Sequence, residues 1–115
     1  MDEAYLKHHM FVRPKLELLP SEYFKRQGFA TFQEDAAGLD LAAEHGLTNN
    51  FMWANDYPHH EGSWPHSAEA IERSMGSLTD ADRAKILGLN AAEVFQISIP
   101  ERFMNQPDVA VVGSR

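Results

Sequence analysis

Residues 29–54 read FATFQ-ED-AAGLDLAAEH-GLTNN-FMWA, and the fold class is decided by this stretch. Phe29-Ala30-Thr31-Phe32-Gln33 is rich in aromatic and β-branched residues, the composition of a strand. Ala36 to His45 carries Leu39, Ala42 and Ala43 at helical spacing, with Gly46 placed to end the helix. Phe51-Met52-Trp53-Ala54 is a continuous apolar run between polar neighbours, as expected of a strand covered on both faces in a parallel sheet. Strand, helix of about ten residues, strand is a βαβ unit, so the predicted class is α/β.

Working outward, residues 2–12 predict a short helix with acids at its start, ended by Pro14, which biases Arg13 out of the helical region. His8 and His9 read as part of a solvated helix face. Pro20 to Phe24 opens another helix, with Ser21 expected as its N-cap and Gly28 closing it. Thr48, Asn49 and Asn50 read as turn residues before the second strand. On the C-terminal side, Ser67 is expected to cap a helix reaching Met75. Thr79-Asp80-Ala81-Asp82 has the spacing of a capping box. Ala84, Leu87, Ala91, Val94 and Phe95 then recur at three- and four-residue steps, interrupted at Gly88 and Asn90, which predicts two helical pieces. Residues 1–99 form the predicted domain and 100–115 a tail.

The chain has 115 residues, 43% of them hydrophobic and 23% charged, an ordinary globular composition for one domain. Lys plus Arg is 10 against Asp plus Glu 17, a net charge of −7, which argues against nucleic acid or an anionic membrane as partner. With no cysteine, disulfides, cysteine-ligated zinc and thiol catalysis are excluded. The acidic start Met1-Asp2-Glu3 is unlike a signal peptide and points to the cytoplasm.

Chemistry-bearing residues gather after the second strand: Asp56, His59, His60, Glu61 and His66. Carboxylate and imidazole are hard or borderline metal ligands, and α/β sites lie beyond the carboxyl ends of strands. The spacing matches no established metal pattern, and histidines in a polar loop are commonly just solvated. Glu34 and Asp35 end the first strand on the same rim, where capping by Asp35 and solvation of Glu34 explain them. Phe32 and Trp53 read as core; Trp64, in the loop, reads equally as a pocket wall. There is no glycine-rich phosphate loop and no nucleophile elbow.

Met52-Trp53-Ala54-Asn55-Asp56-Tyr57-Pro58-His59, then Ser63-Trp64-Pro65-His66-Ser67, resembles the C-terminal end of the amidohydrolase-related family, the branch of the metal-dependent amidohydrolase superfamily that contains aminocarboxymuconate-semialdehyde decarboxylase. That family shows W-x-S-D-Y-P-H, T-W-P-x-S and a closing K-I-L-x-x-N-A, the last matched by Lys85-Ile86-Leu87-Gly88-Leu89-Asn90-Ala91. Pro20 to Phe24 and Phe32 to Asp35 resemble the segments around the family's seventh strand, so the likeness covers roughly residues 14–97.

The resemblance implies the C-terminal portion of a TIM (β/α)8 barrel, a parallel βαβ unit followed by helices. A whole barrel needs about 250 residues. It implies Asp56 as the catalytic and metal-binding carboxylate, handling a proton on the attacking water, with His59 and Trp64 touching a small-molecule substrate. Asn55 departs from the family's usual serine and changes bulk and polarity beside Asp56. The cofactor implied for the complete site is a divalent metal, zinc first. The family's H-x-H or E-x-H and its later histidines have no counterpart in this sequence, and a catalytic zinc needs about three protein ligands.

Two functions follow. One is the C-terminal segment of a metal-dependent hydrolase or decarboxylase, inactive and metal-free as this chain alone, with a homo-oligomer or a second chain completing the barrel. The other is a non-catalytic self-associating or partner-binding domain derived from such an enzyme. A small metal-binding protein using Asp56, His59, His60 and His66 alone is a third expectation.

Overall fold

The structure is a computed structural model, and it describes residues 1–104. The expected βαβ unit is its centre. Strand β1 (Ala30–Phe32) pairs in parallel with β2 (Phe51–Trp53), in the register Ala30↔Phe51, Thr31↔Met52 and Phe32↔Trp53. Helix α3 (Ala36–Glu44) connects them. The Asp35 carboxylate accepts from the Gly38 N–H at 2.8 Å, which caps α3 as expected. Gly46 ends the helix turn at φ +64°, a conformation glycine adopts without a steric penalty.

Leu39 from α3 meets Met75 and Ile86 in the core, with Phe32, Trp53, Ile71 and Leu78 packed around them. Each of the three central side chains is worth about 1.5–3 kcal/mol of burial. Ala43, expected on the same face as Leu39 and Ala42, is exposed. At nine residues, α3 turns only Leu39 and Ala42 inward.

The N-terminal helix is shorter than expected. Helix α1 covers Asp2–His8 and tightens into a 3₁₀ turn, His9–Phe11. Helix α2 is Pro20–Gln27, and its N-cap is Leu19 rather than Ser21. Pro20 at the first helical position needs no N–H partner, and the Glu22 carboxylate accepts from the Leu19 N–H at 2.7 Å. Ser21 instead donates both its backbone N–H (2.8 Å) and its hydroxyl to Asp2, which staples α1 to α2.

Helix α4 is Ser67–Met75, with His66 in the cap position. Ser67 is therefore its first helical residue, and the Ser67 hydroxyl lies 3.2 Å from that of Ser63. Thr79 caps the next helix as expected, accepting from the Asp82 N–H at 3.2 Å.

From Asp80 to Val94 the chain is one helical run in three parts. These are α5 (Asp80–Ala84), a π-helical turn (Lys85–Leu89) and α6 (Asn90–Val94). The expected break at Gly88 and Asn90 is thus a change of pitch. A π turn inserts an extra residue, so a stripe drawn at 3.6 residues per turn loses phase across it. Ile86 faces the core at 1% exposure, while Leu87 and Phe95 face outward. Glu101–Met104 forms a short helix α7 inside the expected tail. Pro107 and Gly113, read as part of that tail, lie outside the described residues.

Candidate functional site

Beyond β2 the chain makes a closed loop. The Ser63 N–H donates to the Asn55 carbonyl at 2.9 Å, His59 N–H to Asp56 carbonyl at 2.9 Å, and Gly62 N–H to His59 carbonyl at 3.0 Å. Gly62 sits where these carbonyls converge. A Cβ there would lie 2.8 Å from the Asn55 oxygen and 3.0 Å from those of Asp56 and His59. Only glycine fits this approach.

Asp56 itself takes φ +56°, the left-handed region, which Asp and Asn tolerate better than other side-chain-bearing residues. Asn55 helps set that turn, its Oδ1 accepting from the Tyr57 N–H at 3.1 Å. The departure from serine at residue 55 thus has a local role.

The turn brings together two of the expected site residues. Asp56 Oδ1 lies 2.9 Å from His59 Nδ1. A carboxylate oxygen accepts, so the His59 side of this contact is an Nδ1–H donor. Both side chains are open to solvent.

Trp64, the third expected site residue, follows Ser63 at the close of the loop. It is exposed and meets Tyr57 edge-on, with ring centroids 5.5 Å apart and planes at 71°. It also lines a cavity of about 210 Å³ with Gln33, Glu34, Glu61, His66 and Arg73, a lining that includes neither Asp56 nor His59. Glu34, expected to be merely solvated, pairs with the Arg73 guanidinium from α4. Arg73 gave no sequence signal, because nothing in a helix's own pattern says which rim its cation will reach.

His60 and His66 do not join Asp56 and His59. Among the described residues, no group of three or more His, Cys, Asp or Glu side chains is arranged to hold a metal ion. The self-contained metal site expected as a third possibility is therefore not formed. The loop's internal hydrogen bonds turn the backbone of residues 55–63 on itself and leave these imidazoles apart. The donors present, one carboxylate and one imidazole, do not fit a divalent ion by themselves.

The family model described as Amidohydrolase matches residues 3–97, from α1 to the end of the long helical run. The chain belongs to the amidohydrolase family. The match begins earlier than the expected residue 14 and takes in α1. Among solved structures, this amidohydrolase chain is similar to the crystal structure of 5-carboxyvanillate decarboxylase from Sphingomonas paucimobilis, at 32% identity and a TM-score of 0.69. That likeness covers 84% of this chain and 29% of the decarboxylase. No curated protein sequence matches. Members of the superfamily generally use divalent metals, and among the described residues no helix is long and apolar enough to cross a membrane.

Proposed function

We propose that residues 1–99 act as the closing portion of a metal-dependent amidohydrolase barrel, its last two strands and their helices, with Asp56 as the carboxylate this portion contributes to the metal. The observation that carries the reading is the position of the Asp56–His59 pair. It stands directly beyond β2 on a loop whose turn, glycine and closing hydrogen bonds hold it there. The structural likeness to a decarboxylase supports decarboxylation alongside hydrolysis as the parent chemistry. In this reading zinc is the metal, its other ligands come from strands outside these residues, and His59 and Trp64 contact a small-molecule substrate. The chain alone is catalytically silent.

A covering partner, either a second copy or another chain, follows from the surface. Among the described residues, six hydrophobic ones are buried, Leu39, Met75 and Ile86 included, while Leu6, Phe11, Phe29, Phe95 and Ile97 are exposed. A two-stranded parallel sheet also has two outer edges, and parallel sheets are normally enclosed. The same surface favours a second reading, a self-associating domain without catalysis.

Native mass spectrometry of the purified chain with added zinc tests the proposal. Species heavier than the monomer, without one zinc per chain, are expected. Supplying a chain that carries the remaining strands is expected to bring zinc that Asp56→Asn loses. A monomer holding one zinc per chain, unaffected by Asp56→Asn, would overturn the reading. A completed assembly that never takes zinc favours the non-catalytic domain.

A further inference from the structure

Gln33 is the first residue after β1, and it faces the Asp56 loop from the neighbouring strand. Its Nε2 donates to the Glu61 carbonyl at 3.1 Å. Its own backbone carbonyl accepts from the Trp53 indole N–H at 3.0 Å, which fixes the residue against the end of β2. Among the described residues, this amide makes the one hydrogen bond that reaches residues 55–62 from another element; the rest of the loop's bonding is internal or to its own flank.

The other end of the amide is different. Gln33 Oε1 is buried and has no hydrogen-bond partner among the described residues. A buried acceptor left unpaired is unfavourable, and an apolar side chain of the same size avoids the cost. The position therefore carries a polar group at a penalty, and what offsets the penalty is the donor end, which ties the loop down.

We propose that Gln33 is a positioning residue: its side-chain amide locks the Asp56 loop onto the end of β1 and so sets where the Asp56–His59 pair stands relative to the rest of the barrel rim. Gly62 and Ser63, next to the anchored Glu61 carbonyl, close the loop back on His59 and Asn55. A tether at Glu61 thus restrains the backbone on which Asp56 takes its left-handed conformation. What the loop is held for rests on the functional reading above, but the tether itself does not.

The test is amide hydrogen exchange, read by NMR on the whole chain for three variants. Gln33→Leu removes the donor and the orphan acceptor together at similar volume. Gln33→Glu keeps the shape and loses the donor at neutral pH. Asn49→Ala, at an exposed position away from the loop, is the control. Exchange at Gly62 and Ser63 is expected to rise about two- to tenfold in both Gln33 variants, the worth of one neutral hydrogen bond. Exchange at Leu39 and Ile86 is expected to stay as in the parent. Lowering the pH until the introduced carboxylate is protonated restores a donor and is expected to recover the protection in Gln33→Glu. Unchanged exchange at Gly62 and Ser63, or a rise shared equally with Leu39 and Ile86, would overturn the proposal. Neither readout involves a metal, so failure here is separate from failure of the zinc experiment.

Discussion

Replacing Asn50 by alanine should remove a large share of the protein's stability, although Asn50 sits in a short turn at the opposite end of β2 from the candidate site. The residue is 3% exposed. Its Nδ2 lies 3.1 Å from the Phe24 carbonyl, 3.0 Å from that of Lys25 and 2.8 Å from that of Gly28. These are carbonyls in the last turn of α2 and just past it; that of Phe24 also accepts from the Gly28 N–H, while Lys25 lies among the last acceptors, which a helix leaves without intrahelical donors. One side-chain amide, delivered from the 3₁₀ turn Thr48–Asn50, thus caps a helix more than twenty residues away. The amide has two hydrogens, so alanine removes about two net hydrogen bonds at 0.5–1.5 kcal/mol each and leaves part-buried carbonyls dry. A cost of about 2–4 kcal/mol follows. That is a large share of the roughly 5–15 kcal/mol that holds a domain together. Urea unfolding at pH 7, followed by tryptophan fluorescence, measures it. Asn49→Ala, its exposed neighbour, is expected within about 0.5 kcal/mol of the parent. Asn50→Asp is expected to be worse than alanine at neutral pH, since a carboxylate would face three carbonyl oxygens. If Asn50→Ala unfolds within about 0.5 kcal/mol of the parent, the capping argument is wrong.

Two further outcomes follow from the geometry. The Thr79 hydroxyl, and after it those of Thr48 and the Lys85 ammonium, hold the Asp82 carboxyl below its ordinary 3.8. A depressed folded value means stability that is present above pH 3.8 and lost as pH falls through the lower folded value. Asp82→Asn is therefore expected to be the weaker protein at pH 7 and to converge on the parent in acid, and parallel stability curves from pH 7 to 2 would contradict this. Gly62→Ala pushes a methyl against three carbonyl oxygens. It is expected to shift the amide resonances of Asn55, Asp56 and His59 and to cost about 1–3 kcal/mol, and a spectrum unchanged at those residues would count against the loop geometry.

The β1–α3–β2 unit was readable because its signals are local. Aromatic and β-branched content marks β1, Asp35 and Gly46 bracket α3, and an apolar run marks β2. What escaped were positions whose role depends on a distant neighbour. Asn50, Thr48 and Asn90 look like turn and helix-breaking residues, yet all three are buried. Asn90 donates to the Thr48 and Phe51 carbonyls at 2.7 Å, and Thr48 donates to Asp82 at 2.9 Å. An asparagine that favours a turn and one that satisfies buried carbonyls have the same local propensity. Ser21 failed for a related reason, because Asp2 competes for it from another helix. The π turn moved the core contact to Ile86, and a pattern read at one fixed period has no means of registering an inserted residue.

At the site, residues in and beside the stretch that resembled a family motif have backbone duties that would select them in any case. Asn55 makes a side-chain turn onto Tyr57, Asp56 occupies a left-handed position, and Gly62 fits where carbonyls crowd. The Asn-Asp pair and the following glycine are therefore partly a description of a loop. What the backbone does not require is the charge. Asparagine satisfies a left-handed position as well as aspartate does. A negative charge at 56, beside the His59 Nδ1 proton, is the part of the pattern that the left-handed turn does not require. For this reason Asp56→Asn is more informative than Asp56→Ala. Alanine would disturb the turn and the charge together, whereas asparagine leaves the loop standing and removes only the group proposed to meet the metal. A completed assembly that keeps its fold and its loop protection but loses zinc on Asp56→Asn assigns the carboxylate to the metal. One that keeps its zinc assigns Asp56 to the turn alone.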